Sequence, residues 1–129
     1  MVGKPIVVRG AGQGGADPQP LVARGTSFSI EEWQGSGPSY LHVHHADDEA
    51  WHVLEGSLRF TFADSEVEAT AGTTVFVPAG VAHTYAASAT ARYLIILTPR
   101  LRDLIEALHG ASMQQHAEIM RRYQSEVLE

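Results

Sequence analysis

His42, His44 and His83, with Glu49 close to the first pair, are the residues of this chain whose types and spacing point to chemistry. One segment reads His42-Val43-His44-His45-Ala46-Asp47-Asp48-Glu49 and runs on to Gly56. A second runs from Gly72 through Pro78-Ala79-Gly80 to His83. Side chains two apart on a β-strand share a face, so His42 and His44 can reach one point in space. Imidazole nitrogens with one carboxylate are what a borderline divalent transition metal prefers. The chain has no cysteine, which excludes a disulfide framework, an iron–sulfur cluster and a thiolate zinc site. Any metal is held by nitrogen and oxygen.

The elements that must position these groups are short and mostly β. Residues 5–9 read as an opening strand, and 10–20, rich in Gly and Pro, as a loop. Thr26 to Glu31 alternates and sets Phe28 and Ile30 on one face. Tyr40 to His44 and Ala50 to Leu54 follow as strands. Leu58, Phe60 and Phe62 then point inward, with Arg59 and Thr61 outward. Val67 to Ala69, Thr74 to Val77 and His83 to Ala86 continue the pattern. Tyr93 to Leu97 is apolar on both faces and belongs at the centre of a sheet. Strands this short, with turns every eight to twelve residues, mean a sandwich or barrel.

The tail changes period. Leu101, Leu104, Ile105 and Leu108 recur at helical spacing between Pro99 and Gly110, predicting a helix over about 100–109. Ser112-Met113-Gln114-Gln115 forms a capping box that opens a second helix over about 113–127, with Met113, Ala117, Met120 and Val127 as its apolar stripe. Two helices around a turn invite a DNA-binding reading. The second carries as many acids as bases, and the net charge of −6 lacks the positive field that phosphate contacts need. Nucleic acid is excluded, and Arg121-Arg122 reads as a solvated helix face. No stretch approaches a membrane span and no signal peptide is visible, so the expectation is a cytoplasmic protein of one domain, residues 1–129.

The two histidine segments together resemble the cupin superfamily. Its first motif is Gly-x5-His-x-His-x3–4-Glu-x6-Gly and its second is Gly-x5-Pro-x-Gly-x2-His-x3-Asn. The likeness spans residues 36–87, and fifteen residues separate Gly56 from Gly72, as in small bacterial members. Ser36 stands where the first motif asks for glycine, with Gly37 beside it, and Ala87 stands where the second asks for asparagine. The resemblance implies an all-β fold: a small antiparallel jelly-roll barrel over about 26–98, with the two helices packed outside it or against a partner. It implies His42, His44, Glu49 and His83 as ligands of one divalent ion, whether Fe, Mn, Ni, Co, Cu or Zn. Three neutral imidazoles and a carboxylate leave two open positions on a six-coordinate ion, as a catalytic metal requires. Asp47 or Asp48 are the alternatives to Glu49. His45 and His52 fall out of phase with the ligands, and His109 and His116 sit on the tail; none of the four is read as a ligand.

The face that carries the ligands also carries Tyr40, Trp51, Phe60, Phe62 and Tyr85, the candidate pocket. Arg59 and Arg92 face outward, so no cation is placed to clamp a phosphate or carboxylate. That disfavours the sugar-phosphate isomerase and nucleotide-sugar epimerase branches. The resemblance implies a metal-dependent oxidoreductase of the small dioxygenase, quercetinase-like kind, acting on a small, flat, oxygen-bearing apolar substrate, with Glu49 as ligand and general base. An enolising isomerase or lyase, or a non-catalytic binding module, are the alternatives. The need to cover strand edges and the apolar tail predict a homodimer.

Overall fold

The computed structural model describes residues 3–8 and 20–128. Nine strands come first: β1 (Val22–Arg24), β2 (Ser29–Trp33), β3 (His42–His44), β4 (Glu49–Glu55), β5 (Ser57–Phe62), β6 (Glu66–Thr70), β7 (Thr74–Val77), β8 (His83–Ala87) and β9 (Arg92–Leu97). Helix α1 (Pro99–His109), a 3-10 turn (Met113–Gln115), helix α2 (His116–Arg122) and strand β10 (Ser125–Val127) follow. The strands form two antiparallel sheets of five, in the orders β1-β2-β9-β4-β7 and β10-β3-β8-β5-β6. Strand pairing stays within each sheet. The expected cupin-type jelly roll is present, built as two facing sheets that do not close into one continuous barrel.

Alternation puts one face of each sheet into the interior. Trp51, Val53, Tyr93, Ile95 and Leu97 of the first sheet meet Leu58, Phe60, Ala69 and Tyr85 of the second. The Trp51 and Phe60 rings stand edge-on, with centroids 5.0 Å apart. Each such buried side chain contributes about 1.5–3 kcal/mol, so this layer holds the sheets together. β9, apolar on both faces, is the central strand of its sheet, as expected.

Three expectations are corrected. Residues 5–8 form no strand, and position 9 and all but Pro20 of the loop proposed over 10–20 lie outside the described residues. On β2 the inward residues are Ser29 and Glu31, while Phe28 is 53% exposed. The polar face wins because Glu31 is satisfied there, accepting from Trp33 Nε1 (3.3 Å) and Arg24 Nε (3.2 Å). The third concerns the second helix. Its capping box between Ser112 and Gln115 forms, yet the helix ends at Arg122. Gln124 adopts φ 58 and turns the chain into β10, which pairs Ser125 with His44 and Val127 with His42.

The first tail helix is as expected: Thr98 Oγ1 caps it by accepting from Leu101 N, and Pro99 starts it. Its stripe of Leu101, Leu104 and Leu108 is buried against the interior of the jelly roll and not on its outside.

Candidate metal centre

The β3–β8 pairing sets His42 directly opposite His83, and alternation along β3 puts His44 on the same inward face. Glu49 reaches the same place from β4, in the facing sheet. The ring centroids of His42 lie 4.5 Å from His83 and 4.9 Å from His44. One ligand nitrogen from each of the three imidazoles lies within 4.8 Å of the others. Glu49 Oε1 lies 3.3 Å from His44 Nε2 and 3.2 Å from His83 Nε2. All four residues are buried.

The other ring nitrogens decide the tautomers. His42 Nδ1 donates to the carbonyl of Tyr40 (3.3 Å) and His83 Nδ1 to that of Val81 (3.0 Å). A carbonyl only accepts, so both protons sit on Nδ1. His44 Nδ1 lies 2.7 Å from Ser125 Oγ, whose own hydroxyl donates to the carbonyl of Tyr123. Ser125 therefore accepts from His44. Every imidazole thus spends its proton on an outer partner and keeps an Nε2 lone pair for the centre. Two of those lone pairs confront a carboxylate oxygen at 3.2–3.3 Å, a contact that needs either a second ring proton or a cation between them. A cation reconciles them: ligand distances of about 2.0–2.2 Å place neighbouring donors roughly 3.0–3.5 Å apart. These residues fit a divalent ion bound by nitrogen and oxygen, with outer partners of the kind that orient metal-bound histidines.

The charge states suit the same purpose. Burial, reinforced by His83 and His44 beside it, holds the His42 imidazolium pKa down at about 3. Burial alone would raise Glu49, but the facing His44 and His83 outweigh it and hold the carboxyl at about 2. Neutral imidazole and ionised carboxylate are the forms that bind metal. In metal-stripped protein this has a stability consequence. The unfolded chain protonates His42 below 6.5 and Glu49 below 4.5, whereas the folded one resists until about 3 and about 2. Their contribution is complete above the unfolded values and is lost as pH falls towards the folded ones. Urea midpoints of the stripped protein should decline steadily from pH 6.5 to 3; equal midpoints across that window would contradict the assignment.

Ser125 is the functional residue that sequence reasoning missed. Its neighbourhood reads as helix, and nothing local announces a strand returning to His44. Substituting Ser125→Ala should weaken metal binding by about tenfold, the lower end of what losing an outer partner does to a metal site. Titration of the stripped protein with a divalent metal would measure it, and an unchanged affinity would dismiss the role.

The remaining candidates separate cleanly. Asp47 is buried but serves Thr98 Oγ1 (2.9 Å) and Arg100 (3.2 Å). Asp48 accepts from the backbone of Ala79, tying the two motifs together. Neither replaces Glu49. His45 is exposed beside Glu126, and His52 bonds Thr74 on the outer face of the sheet. The two departures from the motifs meet each other: the backbone N–H of Ala87 donates to Ser36 Oγ at 2.9 Å. Gly37 answers a separate need, since a Cβ there would come within 2.6 Å of the Tyr85 ring.

Beside the centre lies a cavity of about 240 Å³. His42, His44 and Glu49 line it, together with Trp51, Tyr85 and Ile95. Trp51 and Tyr85 line the cavity, whereas Phe60 is core and Phe62 stacks on it at 6.3 Å. Tyr40 stands behind the wall, its hydroxyl 2.8 Å from His116 Nδ1. Much of the lining comes from the tail: Leu101, Leu104, Ile105, Leu108, His109, His116 and Met120. The histidines of the tail are not among the clustered ligands, as expected, but His109 and His116 face the cavity. No arginine or lysine is among the lining residues. Tyr93 donates to the carbonyl of Gly35 (2.6 Å), so Tyr85 donates in turn to Tyr93 (2.9 Å). Burial raises the pKa of both phenols, Tyr93 to about 12.

A jelly roll with this histidine arrangement defines a class, and the chain matches the Cupin domain family over residues 26–97. It belongs to that family. Among solved structures it is similar to a cupin-2 domain containing protein from Shewanella frigidimarina, at 27% identity and a TM-score of 0.53 over 63% of this chain and 80% of that one. KdgF from Halomonas sp. is 18% identical, with a TM-score of 0.55 over 68% of this chain and 87% of that one. Protein NMB1881 from Neisseria meningitidis is 21% identical, with a TM-score of 0.50 over 63% and 84%. No curated protein gives a significant match. Helices α1 and α2 and strand β10 all lie beyond the matched residues. No described helix is long and apolar enough to cross a membrane.

Proposed function

We propose that this cupin is a metal-dependent oxidoreductase of the dioxygenase type, acting on a small, flat, oxygen-bearing apolar molecule. The observation that supports it best is the set of Nε2 lone pairs facing Glu49 Oε1 in the lining of a largely apolar cavity. In this reading His42, His44, His83 and Glu49 hold one divalent ion. When bound, such an ion acidifies a coordinated hydroxyl and stabilises the resulting oxyanion. Glu49, at the edge of the cavity, is placed to accept that proton. Trp51, Ile95 and the leucines of α1 exclude water from the substrate body. Tyr85 and Tyr93, kept as neutral phenols, take no part as bases.

The cavity is below the roughly 300–1,000 Å³ of drug-sized ligand sites, which favours a one-ring substrate over a three-ring flavonoid. The absence of Arg and Lys from its lining disfavours phosphorylated sugars. The test is oxygen uptake by metal-loaded protein across catechols, β-diketones and flavonoids. Uptake with a catechol or β-diketone, reduced at least a hundredfold in Glu49→Gln, is the expected result. Product formed equally well without oxygen would replace this reading by the isomerase or lyase alternative. Ligand binding with no turnover at all would leave a binding module.

A further inference from the structure

We propose that the outer face of the first sheet is a homodimer interface, on which a second copy of the chain packs about a two-fold axis running along β9. Strand register lays one row of side chains across all five strands of that face. Ala23 pairs with Ile30, Ile30 with Ile96, Ile96 with Ala50, and Ala50 with Phe76. Residues paired directly across strands share a face. Alternation sends this row away from the interior, where Ser29, Glu31, Trp51 and Ile95 are buried. No member of the row belongs to the core or to the apolar side chains packed on it, and Phe76 is 61% exposed. Helix α1 turns its own apolar stripe to the interior instead.

The order of side chains in the row names the occupant. From edge to edge it reads Ala, Ile, Ile, Ala, Phe, with Ile96 on the central strand. A two-fold axis along β9 exchanges the two edges of the sheet. Phe76 then faces the partner's Ala23, Ile30 faces the partner's Ala50, and Ile96 faces its own copy. Large meets small on either side of the axis, as close packing of two sheet faces requires. An axis at right angles to this one sets Phe76 on Phe76 and Ala50 on Ala50, a clash beside a void.

The neighbouring row adds a polar match about the same axis. It holds Glu32, Leu94, His52 and Thr74. Leu94 meets its own copy, and His52 meets the partner's Glu32. His52 uses Nδ1 on Thr74 and Glu32 uses Oε2 on Arg92, while His52 Nε2 and Glu32 Oε1 make no hydrogen bond among the described residues. Imidazole and carboxylate therefore have one free polar atom each to offer the other copy. Arg92, next outward along β9, brings its own counter-charges in Glu32 (2.8 Å) and Glu55 (3.0 Å). The chain carries a net charge of −6, but the first row is uncharged, so the contact itself adds no repulsion. At the β1 edge Gly3, Lys4 and Ile6 share a groove with Ala23 and Ile30, which makes the chain's own N-terminal segment the competing occupant.

Sedimentation equilibrium of the full chain at micromolar concentration tests the surface. Wild type should have the mass of a dimer. Ile96→Arg places two cations opposite each other on the axis and should raise the dissociation constant at least about a hundredfold, with the circular dichroism of wild type. The chain has no cysteine, so single-cysteine variants map the contact even if Ile96→Arg does not fold. Facing sheets lie about 10 Å apart, and a bismaleimide of that reach should join Ile96→Cys to its copy. Phe76→Cys should stay uncrosslinked, because the axis carries its copy to the opposite edge, four strand spacings or about 19 Å sideways. A monomeric wild type leaves the face to the N-terminal segment and overturns the proposal. So does a dimer that persists in Ile96→Arg, failure of Ile96→Cys to cross-link, or efficient cross-linking of Phe76→Cys.

Discussion

His83→Ala should leave a folded protein that no longer responds to divalent metal. His83 closes the cluster from β8, opposite His42, and its Nε2 is one of the two lone pairs that face Glu49. Without it the site retains two imidazoles and a carboxylate, and affinity should fall by more than the roughly tenfold to hundredfold lost with an outer partner alone. In thermal melts, metal at about a hundred times its dissociation constant stabilises wild type by about 2.7 kcal/mol, or roughly 10 °C for a domain of this size. The variant should show no such rise at the same concentration. Removing a buried imidazole also leaves a cavity, so the variant must first be shown to melt cooperatively in the absence of metal. A metal-induced rise equal to wild type's would remove His83 from the ligand set, and with it the geometry on which the proposed chemistry depends.

Gly56→Ala should be strongly damaging although it lies away from the centre. Gly56 joins β4 to β5 with φ +70, a left-handed conformation that side chains resist. A Cβ there would come within 2.8 Å of the backbone N and Cα of Ala91, which is itself buried. Backbone cannot swing aside as a long side chain can, so strain and clash add. The expected loss is about 3 kcal/mol, most of it from the disfavoured φ and the shift forced on the preceding end of β9. Chemical denaturation would measure this directly, and a loss below about 0.5 kcal/mol, typical of surface changes, would refute it. The same position closes the first histidine motif. A glycine that looks like part of a metal signature is therefore there for the turn, and its effect on metal affinity should follow from stability alone.

Part of the candidate ligand set was legible through local rules, while Glu49 and His83 came from the likeness to the cupin motifs. A period of two puts His42 and His44 on one face whatever surrounds them, and the same period sends His45 and His52 outward, where the structure has them. Glu49 over Asp48 also follows from alternation once β4 is known to start there. The first tail helix was equally visible, since its cap, its proline and its leucine spacing all lie within one short stretch.

Local rules failed where a residue's state is set by a distant partner. Ser125 to Val127 is a strand because β3 offers an open edge about eighty residues earlier, and pairing there outweighs any preference of three residues for helix. Alternation put Phe28 and Ile30 on one face without saying which face is buried; Glu31 on the other face has two partners, and it is that polar face that turns inward. The leucines of α1 announced that they would be buried without saying against what. From the sequence alone came the candidate metal-binding side chains, the common face of His42 and His44, and the β-rich frame that carries them. Only the tertiary structure decided that the tail folds back against that frame, supplying Ser125 to His44 and a wall to the cavity. Periodicity states which side of an element avoids water, and the surface that side meets is settled by contacts no local stretch encodes.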